Sequence, residues 1–178
     1  MALYRFLSIL MGCMALMAGG FCFFGLPKKP AWATSLPRWR WPGLALGTLL
    51  LLYSAYEASA MLPGTRWPPL FWALVPVTVA LAWKYTDFLF ARALGGLWVV
   101  WANYLIQHAF AYHCGARPLY GLTAFLWGCA GMVLLAWPWW LRDALEACAK
   151  KTLWRKIALA FALLSLACFA ILPFLGGK

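Results

Sequence analysis

Read as a pattern of apolar and polar positions, the chain is a series of long apolar runs cut by short polar gaps. About twenty helical residues cross the hydrocarbon core of a bilayer. Six runs approach that length: 5–26, 42–63, 68–84, 88–113, 118–141 and 154–174. The third is the shortest. The gaps carry the expected breakers, "LPKKP", "LPGTRWPP", "KYTD" and "CGARP". The pattern predicts an all-α, polytopic integral membrane bundle of six transmembrane helices, forming a single membrane-embedded domain over 1–178. The longest polar gaps, of roughly a dozen residues, are too short to fold alone.

Composition supports lipid as the solvent. Of 178 residues, 66% are hydrophobic and 11% charged, whereas a soluble domain carries roughly a quarter charged residues. The 13 Trp suit a headgroup boundary. The first run carries an Arg and an "AWA" that imitates a signal-cleavage site. Its length and the two Lys that follow favour a retained helix.

The net charge of +11 reads as orientation rather than nucleic-acid binding. With six spans, Lys28, Lys29, Arg38, Arg40, Lys84, Arg92, Arg142, Lys150, Lys151, Arg155 and Lys156 fall on one side. Arg5, Arg66, Arg117 and Lys178 fall on the other. Cytoplasmic loops are the basic ones. The expectation is a bacterial inner-membrane protein with both termini on the non-cytoplasmic side. Trp39, Trp41, Trp83, Tyr85, Trp139, Trp140 and Trp154 should mark the basic boundary, and Trp67, Tyr112 and Tyr120 the opposite one.

The gap "LRDALEACAKKTLWRK" is amphipathic: Leu141, Leu145 and Ala149 recur near helical spacing, and Glu146 precedes Lys150 by four. It reads either as a helix lying along the interface or as an extension of the adjoining spans.

The chemistry that stands out is Glu57, a carboxylate in the second run. It follows Pro42 by 15 residues, roughly 22 Å of helical rise. That depth is inside the membrane, where a carboxylate should face the bundle interior. Tyr53 and Ser54 share its face. In the fourth run, "WANYLIQHAFAYH" places His108 at a matching depth, with Asn103, Tyr104 and Gln107 beside it. Two helices thus present polar stripes at one level. The stripes read either as a polar pocket with a protonatable Glu57 or as hydrogen bonding between helices. Asp87, between Lys84 and Arg92, reads as an ion pair or a helix N-cap. Glycines at 12, 19–20, 95–96, 128 and 131 read as helix-packing positions.

His108 and His113, five apart, cannot grip one iron together, so a haem would rest on a single axial His. The six Cys form no CxxC pair and imply neither a disulfide framework nor a zinc site. No hydrolase, metalloprotease, phosphate-loop or dinucleotide motif is present. No cofactor follows from these residues.

The segment "KKPAW" followed by "LPRWRWPG", with the Trp content, resembles the tryptophan-rich sensory proteins of outer mitochondrial and bacterial membranes. The resemblance covers residues 28–53. The sixth span departs from that family's five-helix bundle, and no site residue is carried over.

Three function classes follow, in order. The first is a non-catalytic subunit or scaffold of a larger membrane complex, with membrane lipids and other membrane-protein subunits as partners and no nucleic acid. The second is a small-solute or ion transporter using the Glu57 and His108 level. The third is a membrane enzyme or redox protein.

Overall fold

The computed structural model describes residues 2–61, 68–111, 117–171 and 173. It is an all-α bundle without strands among the described residues. Helix α1 (Ala2–Gly20) runs into a π-turn, Phe21–Gly25. A short α2 (Trp32–Ser35) and a 3₁₀ turn (Leu36–Arg38) lead into α3 (Arg40–Met61). Then follow α4 (Pro68–Tyr85), α5 (Leu89–Ala111), α6 (Arg117–Ala136), α7 (Trp139–Lys150) and α8 (Thr152–Ile171).

The protein is a helical membrane protein. The helices at Arg5–Gly25, Arg40–Met61, Leu89–Ala111, Pro118–Ala136 and Thr152–Ile171 are long and apolar enough to cross a bilayer. The third predicted run forms α4, whose apolar stretch Pro69–Tyr85 is shorter. Residues 62–63, 112–113, 172 and 174, at the ends of three predicted runs, lie outside the described residues.

The fifth run was drawn too long. Its helix ends at Ala136, because Pro138 has no N–H to continue the ladder. The chain restarts at Trp139 as the separate helix α7, and extended Lys151 (φ −119°, ψ 121°) divides α7 from α8. Of the two readings of this segment, the independent amphipathic helix is the one that forms. Leu145, Cys148 and Ala149 face inward against Phe21, Leu26, Ala33 and Ala158. Arg142, Asp143, Glu146 and Lys150 form a chain of ion pairs outside. Arg155 at the start of α8 donates from Nε to the Cys148 carbonyl and from Nη2 to the Ala149 carbonyl, both at 2.6 Å. A cation there satisfies open carbonyls at the end of α7.

Packing is closest between α5 and α6 and between α1 and α8. These four helices enclose the core of Met11, Ala15, Leu105, Ala109, Tyr120, Ala124, Trp127, Cys168 and Phe169. Helix α3 lies against α5, and α4 packs chiefly on α3 as an outer wing. Gly12, Gly19, Gly95, Gly128 and Gly131 sit at helix contacts, whereas Gly20 faces open space.

Two buried polar links tie the core. Ser8 Oγ donates to the Phe169 carbonyl at 2.7 Å and lies 3.0 Å from the Tyr120 hydroxyl. The Trp127 indole donates to Ser165 Oγ at 3.0 Å. Tyr120 is therefore a core residue, fully buried, and not the boundary aromatic that its position near a helix end suggested.

The basic loops meet at one end. Trp41 and Trp83 meet there at a tilt of 55°, with centroids 5.2 Å apart. Tyr85, Arg92 and Trp139 line one cavity. Trp39, Trp41, Trp83, Tyr85, Trp139, Trp140 and Trp154 are all exposed, as a headgroup belt requires.

Candidate functional site

Helices α3 and α5 both start at the basic end and run in parallel, joined through α4. Glu57 lies 17 residues into α3 from Arg40, and His108 lies 19 into α5 from Leu89. Their levels therefore correspond within about 3 Å at 1.5 Å per residue. The neighbourhood that depth alone implied is real: α3 packs on α5.

Along this seam lies an apolar groove of about 390 Å³, lined by Leu7 of α1, Leu50 and Tyr53 of α3, and Leu97, Val100, Trp101 and Tyr104 of α5. The buried Trp101 indole nitrogen has no acceptor among the described residues. One turn beyond Tyr53, toward the non-basic end, is Glu57, whose side chain neighbours that of Tyr53. One turn beyond Tyr104 is His108. Its ring stacks on Tyr104 with centroids 3.9 Å apart, and its Nδ1 lies 2.9 Å from the Tyr104 carbonyl.

The structure thus brings Tyr53, Glu57, Tyr104 and His108 to one end of one groove. It does not bring Glu57 and His108 together as an ion pair; among the described residues, the ion pairs all lie on α7. Glu57 is half-buried, and the groove wall next to it is apolar. Asn103 and Gln107 lie on the exposed side of α5, where Gln107 Nε2 donates to Asn103 Oδ1 at 3.2 Å. That single link leaves further amide donors and acceptors at the lipid-facing surface.

His113, Cys114, Trp67 and Tyr112 lie outside the described residues. No group of three or more His, Cys, Asp or Glu side chains converges among the described residues.

A second polar region was missed from the sequence. Asp87 makes neither the expected ion pair nor a cap among the described residues. The residue next to the start of α5 is Phe88, so Asp87 stands one position too early to cap it. Its carboxylate instead lines two cavities flanking the α4–α5 turn, one of them shared with Arg38 and Arg40. The visible signal was the pairing of "LPRWRW" with "KYTDF" at the same end of the bundle. The left-handed Phe88 (φ 57°) that shapes the turn has no sequence signature.

No known family model matches the chain, and no curated protein or solved structure matches it either. The likeness of residues 28–53 to the tryptophan-rich sensory proteins rests on those residues alone.

Proposed function

We propose that the chain is a non-catalytic membrane subunit that packs other membrane proteins against its α3–α5 side. One observation carries this reading: Asn103 and Gln107 are exposed on a helix inside the apolar layer, and α3, which packs on that helix, carries half-buried Glu57. From Leu89 their rise is about 21 and 27 Å, within or at the edge of a core about 30 Å thick. Polar side chains at such depth seek protein partners. A neighbouring helix with its own hydrogen-bonding groups would cover them. The basic end faces the cytoplasm of a bacterial inner membrane in this reading, by the positive-inside rule, with both termini opposite.

The test is a photo-crosslinking amino acid at Gln107 in native membranes, with extraction in mild detergent. Crosslinks to a different membrane protein are expected. A monomer or homo-oligomer without heterologous crosslinks would overturn the reading.

A second reading, transport of a small solute or ion, draws on the Tyr53–Glu57 contact at the groove end. Glu57 would there be the protonatable or cation-binding group.

A further inference from the structure

At the basic end, α3 and α5 begin side by side. A Cβ on Gly43 would stand 2.5 Å from the Phe90 nitrogen and 2.8 Å from the Leu89 carbonyl carbon, so only glycine lets these two first turns touch. The contact sets the start of α3 beside the α4–α5 turn. Between them is a cavity of about 370 Å³ lined by Arg38, Arg40, Thr86, Asp87, Phe88 and Leu89. That volume falls in the range of small-ligand sites.

Its charged groups are of both signs. Arg38 lies over the Phe88 ring at 5.2 Å and Arg40 over the Trp83 ring at 6.0 Å. Each guanidinium lies over an aromatic ring and makes no ion pair among the described residues, so its N–H groups can serve a bidentate oxyanion. Asp87 is an exposed carboxylate in the same cavity, with no ion pair to either arginine among the described residues. A purely anionic ligand would satisfy the arginines and be repelled by Asp87. A ligand with a phosphate at one end and a primary ammonium at the other satisfies all three. Trp41 and Trp83, in tilted contact beside the cavity, place it at headgroup depth. The source that delivers such a group at that depth is the bilayer.

We infer that this cavity is a binding site for a zwitterionic phospholipid headgroup, its phosphodiester on Arg38 and Arg40 and its primary ammonium on Asp87. Phosphatidylethanolamine has this chemistry. Phosphatidylglycerol lacks the ammonium, and the quaternary ammonium of phosphatidylcholine has no N–H to donate.

The test is native mass spectrometry of the full chain from mixed micelles containing equal phosphatidylethanolamine, phosphatidylglycerol and phosphatidylcholine. Phosphatidylethanolamine should be retained over each of the others by about fivefold, equivalent to about 1 kcal/mol at 1.4 kcal/mol per tenfold. Asp87→Asn should abolish the preference over phosphatidylglycerol, whereas Arg38→Gln with Arg40→Gln should lower retention of both lipids. Lys150→Gln with Lys151→Gln removes the same charge from the same end and should change nothing, which separates the site from general attraction to a basic surface. Equal retention of the three lipids by the parent chain would overturn the site. So would an unaltered preference in Asp87→Asn, or equal losses in the two double variants. Displacement of the lipid by millimolar inorganic phosphate would assign the cavity to free phosphate and overturn the lipid source.

Discussion

Gly95 on α5 and Gly131 on α6 face each other with no side chain between. A Cβ on Gly95 would lie 2.7 Å from the Gly131 carbonyl oxygen, and one on Gly131 would lie 2.6 Å from that of Gly95. Backbone meets backbone here, so an added methyl has no flexible neighbour to displace. Gly131→Ala should therefore force α5 and α6 apart and cost about 1–3 kcal/mol, the usual range for overpacking. Thermal unfolding in detergent measures it, with Gly121→Ala, which meets open space, as the control. Equal melting temperatures for the two variants would contradict the packing described.

The Trp127–Ser165 bond joins α6 to α8 within the core. Ser165→Ala removes the acceptor and leaves a buried indole N–H without a partner. The expected loss is about 1–3 kcal/mol, more than an ordinary hydrogen bond contributes, because the stranded donor keeps its desolvation cost. Chemical unfolding of Ser165→Ala beside Thr34→Ala, whose hydroxyl bonds at an exposed site, gives the comparison.

Six apolar runs were legible because membrane thickness dictates their length, and each holds a long helix, the fifth only as far as Ala136. The independence of α7 was half legible: the amphipathic spacing of Leu141, Leu145 and Ala149 was visible, but the stop at Pro138 was read through. Tyr120 was misplaced because closeness to a helix end says nothing of what crosses over it; Ser8, 112 residues earlier, and Phe169, near the other end of the chain, pack against it. At the candidate site, the Tyr53–Glu57 and Tyr104–His108 pairs followed from helical spacing. The absence of a bond from Glu57 to His108 did not, since matching depth leaves rotation about each helix axis undetermined.

Cys22, on the π-turn, and Cys148, on α7, come from distant parts of the chain into one packed cluster. Mild oxidation with copper–phenanthroline should join them, and peptide mapping should find the 22–148 disulfide; failure to form it while α1 and α7 remain folded would contradict the docking of α7. Burial pushes the Cys148 thiol up, with the Cys22 contact and the Arg155 charge opposing. The thiolate is the reacting form. Alkylation of Cys148 should therefore rise with pH along a curve displaced to higher pH than that of a free thiol. On the linkage side, the stability tied to its neutral form is present below the ordinary thiol pKa and falls as pH climbs through the raised one.

For Glu57 the two functional readings diverge. If it binds or releases protons during transport, Glu57→Gln abolishes pH-dependent uptake into vesicles at unchanged expression. If it meets a partner helix, the amide preserves hydrogen bonding and the complex survives on native gels. Uptake and assembly assays on the same variant separate the outcomes.

The wing helix α4 has 18 residues and α5 has 23. At 1.5 Å per residue, α4 rises about 27 Å and α5 about 35 Å. Over the described residues the two helices differ in reach, and a bilayer meets such a difference by tilt of the longer helix or by thinning beside the shorter one. A thinner membrane therefore favours the α4 flank, and a thicker one favours the α5 flank.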